Sequence, residues 1–357
     1  MTEDYSILKT AVFFLSPFCG GAERMTITIA KLLDRKEYDV KFVVIGRQIG
    51  EIKEFIPDGY PLSIVKIRNI YDFTTIRIYY YLKQVRPDYV FCSLHYLNPR
   101  VIQASRWVGN CKVIVRFNCT ARQVSGLLKR MTTITYPKAD VVIAQTEGMQ
   151  KDIVSTFHLS SDKVFVLHNL LDTKTIDDKL AIADSPYTDD LEKRVVFVGR
   201  IFKTKNLEMA IRAFVNASLL VSDLNLYIVG KFSEADEYFQ SMKALSDRSG
   251  VSNKIHFVGF QSNPYKWMKY ADCFLLSSIT EGSPNVLFEA LYLGIPAVTT
   301  RCTPNIDDII QDGINGYKVD VGDDKAMSDR IIEALKLKKV KSFYKHSITS
   351  DFIKLFQ

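Results

Sequence analysis

Short apolar runs rich in β-branched residues alternate along the chain with longer stretches whose apolar residues recur at helical spacing. In the first half, the runs that predict buried strands are residues 11–15, 40–45, 89–92, 112–115, 141–144 and 164–167. Between the first two, the apolar residues of segment 22–33 fall on one face of a helix. Alternation of this kind predicts a parallel sheet with helices on both faces.

The alternation stops in a polar, acid-rich segment that contains Pro186, and then starts again. We interpret residues 176–194 as a linker between an N-terminal domain, 1–175, and a C-terminal domain, 195–341. The second domain has predicted strands at 195–198, 226–229, 255–258, 273–276 and 296–299, and predicted helices around 207–219, 236–249 and 286–293. The sequence therefore predicts two doubly wound α/β domains, followed by an amphipathic helix at 342–357.

Composition narrows the class of protein. A length of 357 residues suits two domains, and a formal charge of +7 favours anionic partners. The six cysteines include no C-x-x-C pair, which argues against a zinc site, and so few thiols favour the reducing cytosol. We expect no signal peptide in the polar first residues, and no transmembrane helix, because no apolar stretch reaches about 18 residues.

Three candidate motifs follow predicted strands, at the positions where doubly wound sheets bind ligands. Gly20 and Gly21 come after the first strand, where glycine serves either a tight turn or a close approach of ligand to backbone. Gly199 and Arg200 follow the strand at 195–198, and Lys205 lies shortly after them. A guanidinium and an ammonium at this spacing can hold a diphosphate from two sides.

The third motif surrounds the predicted start of a helix. Ser283 is a good N-cap residue and Pro284 suits the first helical position, so the helix amides would point at an anion. Glu281 lies before the helix and Glu289 about two turns inside it, where each carboxylate can accept hydrogen bonds from a diol. A solvated helix face is the alternative interpretation, but the cap and the preceding strand favour a sugar–diphosphate–ribose ligand.

These motifs occur together in a known family. Glu281 and Glu289 form an E-x7-E motif, and the GGAE at 20–23, the HNLLD at 168–172 and the GR and KN within 199–206 stand in the family's order. Over nearly its whole length the sequence resembles the retaining glycosyltransferases of family 4. The resemblance implies the GT-B fold, in which two Rossmann-like domains face each other across a cleft and the final helix returns to the first domain.

The resemblance also implies roles for residues. Arg200 and Lys205 would hold the diphosphate of a nucleotide-sugar donor, while Glu281 would contact hydroxyls of the donor sugar and Glu289 those of the ribose. The other donor-binding candidates are the glycines of the loops and the residues at the helix start: Gly20, Gly21, Gly199, Gly282, Ser283, Pro284, Asn285 and Val286. No metal or other cofactor and no protein nucleophile is implied, so catalysis would depend on positioning and charge stabilisation.

The sequence departs from the family near the reacting centre. Asn118 stands after the strand at 112–115, where the family usually has a histidine. His95, after the strand at 89–92, could lie in the same cleft, although a lone histidine is more often structural. We therefore treat His95 and Asn118 as catalytic candidates beside Arg200, Lys205 and Glu281.

A basic segment in the first domain is the candidate acceptor side. Between Cys92 and Ala139 there are no acidic residues, and apolar residues such as Trp107 and Leu127 are interleaved with eight basic ones: Arg100, Arg106, Lys112, Arg116, Arg122, Lys129, Arg130 and Lys138. Such a segment suits an anionic membrane or a lipid diphosphate, could suggest nucleic acid, or is a solvated face. By analogy we favour peripheral association with the inner face of the membrane, and we expect no nucleic-acid partner.

The favoured function is transfer of a hexose or N-acetylhexosamine from a UDP-sugar, with a GDP-sugar as the alternative, to a glycan that is lipid-linked, in surface polysaccharide synthesis. Two other functions fit the same fold: a sugar-nucleotide 2-epimerase and a non-catalytic sugar- or lipid-binding subunit. The G-x-G-x-x-G of dehydrogenases and the P-loop of NTPases are both absent from the sequence.

Overall fold

The computed structural model describes residues 8–69, 72–189, 191–303, 306–337 and 349–357. The chain divides into two compact units. Unit 1 comprises Met1–Leu170 and His346–Gln357, and unit 2 comprises Leu171–Lys345. Among the described helices, none combines the length and the apolarity that a bilayer crossing needs.

Unit 1 is a parallel sheet with helices between its strands. The strands are β1 (Lys9–Leu15), β2 (Tyr38–Gly46), β3 (Leu62–Lys66), β4 (Tyr89–Cys92), β5 (Lys112–Arg116), β6 (Val141–Ala144) and β7 (Val164–Val166). The helices between them are α1 (Gly21–Ala30), α2 (Thr74–Val85), α3 (Asn98–Val108), α4 (Gly126–Thr135) and α5 (Glu147–Phe157). The described strands pair in the order β3-β2-β1-β4-β5-β6-β7, all parallel.

Burial explains why the first-half strands could be predicted. β4 and β6 are buried along their whole length, and so is most of β1, since helices cover both faces of a parallel sheet. β3 was not predicted, because this edge strand is mostly half-buried and carries polar Ser63 and Lys66. Its apolar signal is correspondingly weak.

Unit 2 repeats the architecture. Its strands are β8 (Lys193–Val198), β9 (Leu224–Val229), β10 (Ile255–Gly259), β11 (Cys273–Leu276), β12 (Ala297–Thr300) and β13 (Gly316–Val319). Its helices are α6 (Thr173–Ala181), α7 (Leu207–Ser218), α8 (Glu237–Asp247), α9 (Tyr265–Lys269), α10 (Asn285–Tyr292), α11 (Ile306–Ile309) and α12 (Asp324–Ala334). The strands described here pair in the parallel order β10-β9-β8-β11-β12-β13.

The segment that we interpreted as a linker is partly folded. Residues 173–181 form α6, Asp172 caps it by accepting from the Thr175 amide at 3.1 Å, and Ile176 is 1% exposed in the core of unit 2. Tyr187 is also buried, and its hydroxyl donates to the Trp267 carbonyl oxygen at 2.6 Å. The boundary between the units therefore falls at Leu170, earlier than the sequence suggested.

After unit 2 the chain adds α13 (Thr349–Lys354) to unit 1. The Phe356 ring stacks on Phe13 of β1 at 5.7 Å and contacts Tyr89 of β4 at 5.6 Å between ring centroids. The Tyr38 hydroxyl donates to the Phe356 carbonyl oxygen at 2.8 Å. These contacts cover one face of the central strands, while residues 342–348 of the predicted helix lie outside the described residues.

Candidate active site

The donor-site candidates of unit 2 follow two adjacent strands. β8 and β11 are neighbours in the sheet, although the chain runs outward from β8 to β9 and β10 before it returns to β11. Such a reversal of strand order leaves a crevice at the carboxyl ends of the two strands, where open α/β sheets bind ligands. Gly199, Arg200 and Lys205 follow β8, and Glu281 follows β11.

The structure brings Lys205 and Glu281 together, 76 positions apart in sequence. The Lys205 Nζ lies 2.5 Å from the Glu281 Oε1, and the same oxygen accepts from the Ser278 hydroxyl at 2.7 Å. The two charged side chains are 24% and 16% exposed, so the ion pair is largely withdrawn from solvent. We predicted no role for Ser278; its position at a strand end, three residues before Glu281, is the signal that could have identified it.

Backbone contacts fix the two loops that carry this pair. The Ile279 amide donates to the Thr204 carbonyl oxygen at 2.8 Å, and the Ser277 hydroxyl donates to the Lys205 carbonyl oxygen at 2.9 Å. The Glu281 amide donates to the Cys302 carbonyl oxygen, also at 2.8 Å. The Lys205–Glu281 geometry therefore belongs to a preorganised loop set.

Glycine is required beside Arg200. A Cβ on Gly230 would lie 1.8 Å from the Gly199 carbonyl oxygen, so the loops after β8 and β9 can pass only because Gly230 has no side chain. Arg200 is exposed and forms no ion pair with any described residue, whereas Lys205 is engaged by Glu281. Of the two predicted diphosphate ligands, Arg200 is thus the one open to solvent.

The helix of the E-x7-E motif begins later than predicted. α10 starts at Asn285, Pro284 occupies the cap position, and Ser283 makes no capping hydrogen bond, because the backbone turns into the helix only after the proline. Pro284 is buried, while the other residues around the helix start are half-buried: Gly282, Ser283, Asn285 and Val286. Glu289 lies inside α10 and is 5% exposed, so it does not belong to a solvated face.

In unit 1 the candidate glycines sit at the start of α1. Gly20 is the cap residue and its amide donates to Glu23 Oε2 at 3.1 Å, while the Ser16 hydroxyl donates to Glu23 Oε1 at 2.5 Å. The buried Glu23 thus holds the turn in which Gly21 is exposed. Glu23 is a positioning residue that the GGAE motif contains and to which we assigned no role.

His95 and Asn118 meet directly. They follow β4 and β5, which are adjacent, and His95 Nδ1 lies 2.9 Å from Asn118 Oδ1. Burial lowers the pKa of His95 below its ordinary value, and the hydrogen bond to Asn118 only partly opposes this. The ring is therefore neutral near pH 7, with Nδ1–H donating to Asn118 and Nε2 left as an acceptor.

The basic segment does not form one continuous face. Arg116 is 1% exposed and donates to Ser93, and Arg100 is 7% exposed, so neither can contact a membrane. Arg106 pairs with Asp140, the Lys138 ammonium donates to Gln103, and Lys112 is half-buried. Lys129 and Arg130 are exposed on α4, whereas the side chain of Arg122 lies outside the described residues.

Among the described residues, no three His, Cys, Asp or Glu side chains come together in a way that could hold a metal ion. The described cysteines are all free thiols and are mostly buried.

Comparison with known proteins identifies the family. The model "Glycosyltransferase Family 4" matches residues 19–175, and the model "Glycosyl transferases group 1" matches residues 178–347. The chain belongs to glycosyltransferase family 4. This glycosyltransferase is 29% identical over 353 residues, 95% of its chain and 93% of the relative, to N-acetylgalactosamine-N,N'-diacetylbacillosaminyl-diphospho-undecaprenol 4-alpha-N-acetylgalactosaminyltransferase of Campylobacter jejuni.

Further similarities extend over most of the glycosyltransferase. N-acetyl-alpha-D-glucosaminyl L-malate synthase of Bacillus anthracis is 23% identical, with 90% of this chain and 86% of the relative covered. The crystal structure of Anabaena HepE in complex with UDP-glucose matches with a TM-score of 0.77 at 16% identity, over 92% of this chain and 90% of that one. The GT-B fold of the glycosyltransferase, predicted from its sequence, is thereby confirmed.

Proposed function

We propose that this glycosyltransferase retains the anomeric configuration and moves a hexose or N-acetylhexosamine from a UDP-sugar to a lipid-linked glycan in surface polysaccharide synthesis. The observation that carries the donor side of this proposal is the Lys205–Glu281 pair at the reversal of strand order between β8 and β11. A cation and a carboxylate in contact there can address a phosphate and a sugar hydroxyl of one ligand.

The proposed role of each donor-binding side chain is based on its charge and on the contacts that it already makes in the protein. Arg200, exposed and outside any described ion pair, takes the diphosphate, and Lys205 adds a second positive charge. Glu281 Oε1 already accepts two hydrogen bonds, which leaves Oε2 to accept from a donor-sugar hydroxyl. Glu289 accepts from the ribose diol.

Catalysis proceeds by positioning and charge stabilisation. As the glycosidic bond breaks, negative charge grows on the leaving diphosphate, and Arg200 and Lys205 stabilise it. The same diphosphate accepts the proton of the acceptor hydroxyl on the face that the donor leaves, which gives retention without a protein nucleophile. Neutral His95, oriented by Asn118, accepts a hydrogen bond from substrate at Nε2. This chemistry is proposed to need no metal ion.

Two similarities support the choice of substrates. Anabaena HepE has a structure with UDP-glucose, which supports a uridine donor over a guanosine one. The Campylobacter jejuni relative is named for transfer to a diphospho-undecaprenol glycan, which supports a lipid-linked acceptor over a small one such as malate. We propose that the enzyme works in the cytoplasm, at the inner face of the cell membrane.

Helix α4 is the proposed membrane contact. Its exposed side chains include apolar Leu127 and Ile134, 62% and 54% exposed, and basic Lys129 and Arg130. Apolar and cationic side chains on one helix suit the headgroup region of an anionic bilayer. We expect the variant with Lys129→Glu and Arg130→Glu to lose binding to phosphatidylglycerol vesicles at low salt. The matched control reverses exposed Lys53 and Lys151; equal binding by both variants would refute the contact.

The donor assignment is tested with a panel of UDP- and GDP-sugars in thermal shift and in transfer to a prenyl-diphosphate glycan. A ligand at 100 times its Kd stabilises the protein by about 2.7 kcal/mol, so selective stabilisation by the uridine series is expected. The anomeric configuration of the product, read by proton NMR, should match that of the donor. Inversion would refute retention, stabilisation by GDP-sugars alone would refute the uridine donor, and release of sugar nucleotide epimer without acceptor would favour the epimerase.

A further inference from the structure

A basic pocket of unit 1 has no part in the site described above. It encloses about 560 Å³ and is lined by Arg47, Lys66, Ile67, Arg68, Asp72 and Arg77. Four of these six residues are cationic and one is acidic. The cations come from three segments: the end of β2, the end of β3 with the loop after it, and the first turns of α2.

Most of this positive charge is not neutralised by the protein. Asp72 lies 3.6 Å from Arg77 and accepts from the Arg68 amide at 3.0 Å. Within the described part of the chain, no carboxylate forms an ion pair with Arg47, Lys66 or Arg68, and all three are exposed. Like charges around one cavity repel each other, so this arrangement becomes favourable when an anion with more than one charge enters.

The fold holds these side chains in place. The Arg47 Nε donates to the Arg68 carbonyl oxygen at 2.7 Å, which joins the loops after β2 and β3 and leaves the outer guanidinium nitrogens for a ligand. Gly46 packs so closely on the loop after β1 that a Cβ there would lie 2.4 Å from the Pro17 Cγ. Backbone and side-chain contacts therefore hold the pocket in place at the carboxyl ends of two adjacent strands, β2 and β3.

Its place in the sheet separates the pocket from the proposed reaction. β3 is three positions from β4, the strand before His95, and neighbouring strands lie about 4.8 Å apart, so the two ends are roughly 14 Å apart. The donor diphosphate is assigned to Arg200 and Lys205 of unit 2. A polyanion in the unit 1 pocket therefore belongs to another part of the reaction, and the acceptor is the remaining substrate.

Apolar side chains lie on the same helix as one of the cations. Phe73 directly precedes α2, and Ile76 and Tyr80 flank Arg77 along it; they are 71%, 42% and 64% exposed. Residues three and four positions apart share a face of a helix, so Arg77 shares a face with Phe73 and Tyr80, whereas Ile76 adds exposed apolar surface beside that face. Clustered cations beside exposed apolar side chains match a ligand that carries both a diphosphate and a hydrocarbon chain.

We infer that the pocket of Arg47, Lys66, Arg68 and Arg77 binds the diphosphate group of the lipid-linked acceptor. This inference rests on the proposed function, because it requires that the acceptor be lipid-linked. Guanidinium groups match two phosphate oxygens in a fork geometry that an ammonium cannot reproduce. The pocket would hold the acceptor by its diphosphate, while the far end of the glycan reaches the loops that carry His95 and Asn118.

The test measures binding of inorganic diphosphate by calorimetry in saturating UDP, which fills the donor site. We expect Arg47→Gln with Arg68→Gln to weaken binding by more than about ten-fold, since each lost contact is charge-assisted. The control, Lys53→Gln with Lys151→Gln, removes the same charge elsewhere in unit 1 and should leave binding unchanged. Asp72→Asn removes the acid from the pocket and should tighten binding, an outcome that misfolding cannot produce.

Vesicles then identify the source of the diphosphate. Wild-type protein should prefer phosphatidylcholine vesicles that contain a long-chain prenyl diphosphate over phosphatidylglycerol vesicles of equal surface charge, and the Arg47/Arg68 variant should lose this preference. In the transfer assay the same variant should raise the KM for the acceptor and leave kcat and the UDP affinity nearly unchanged.

Each contrary result has one meaning. If wild-type protein binds UDP and transfers sugar but does not bind diphosphate in the presence of UDP, or if the variants bind like wild type, the pocket assignment is wrong. Binding of free diphosphate without preference for the prenyl diphosphate vesicles would also overturn it, in favour of a free phosphate ligand. Failure of wild-type protein to bind any nucleotide or to transfer sugar would refute the proposed function instead.

Discussion

Glu281 offers a way to separate binding of the donor from its reaction. The Lys205 ammonium lies 2.5 Å from Glu281 Oε1, which also accepts from Ser278. Replacing Glu281 with Gln keeps an oxygen for Ser278 but removes the charge that competes with phosphate for Lys205. A hydrogen bond between charged groups contributes about 1.5–3 kcal/mol, and part of this becomes available to the UDP diphosphate.

We therefore expect Glu281→Gln to bind UDP about 1 kcal/mol more tightly, roughly five-fold in Kd. Transfer should fall by about 10²–10³-fold, because the carboxylate that accepts from the donor sugar in the transition state is lost. Lys205→Met should weaken UDP binding and slow transfer. The double variant should bind UDP no better than Lys205→Met alone, since the tighter UDP binding expected of Glu281→Gln acts through the lysine.

UDP affinity is measured by calorimetry, and transfer by release of UDP at saturating acceptor. The matched control is Glu208→Gln, which removes the same charge from an exposed pair with Arg212 in the same unit and should change neither quantity. If Glu281→Gln weakens UDP binding as much as it slows transfer, the carboxylate acts on the nucleotide and our assignment is wrong. Unchanged transfer would remove Glu281 from the active site.

Three further outcomes test other parts of the structure. Burial lowers the pKa of His95 below its ordinary 6.5, so the unfolded chain binds a proton at a higher pH than the folded one. The free energy of unfolding of wild-type protein should therefore fall relative to that of His95→Gln between pH 7 and pH 5, and a constant difference between the two would contradict this. Gly230→Ala should destabilise unit 2 by more than about 3 kcal/mol and abolish the UDP thermal shift, because its Cβ would overlap the Gly199 carbonyl oxygen; a normal melting curve would be the contrary result. Phe356→Ala should cost about 3–5 kcal/mol in denaturant unfolding, against less than about 1 kcal/mol for the exposed Phe165→Ala, and similar losses would show that α13 does not complete the core.

The buried strands could be predicted because a parallel strand covered on both faces needs a continuous apolar run. β3 and β13 were not predicted from the sequence, since each has only a short apolar run that polar residues interrupt. The helix α6 was not predicted because its sequence is mostly polar and Ile176 is the residue that it buries among those described. In each case the missing signal is burial that depends on tertiary packing.

The side-chain partners were harder to predict than the motifs. Glu281 and Lys205 were each found from their own loops, but their contact depends on the adjacency of β8 and β11, which the order of the sequence does not give. The same holds for His95 and Asn118. The four cations of the basic pocket stand among ordinary surface residues in sequence, and only the pairing of β2 with β3 reveals that they share a cavity.

The position of α13 has a consequence for synthesis. The last strand of unit 1 ends at Val166, but the ring of Phe356 that covers Phe13 and Phe91 is made roughly 190 residues later, about 10–40 s at ordinary ribosome rates. During this interval unit 2 emerges while the centre of the first sheet still exposes aromatic surface to solvent or to chaperones. Unit 1 is therefore the first unit to be synthesised and the last to be completed, and a ribosome that stalls within unit 2 leaves behind a first unit whose core is open.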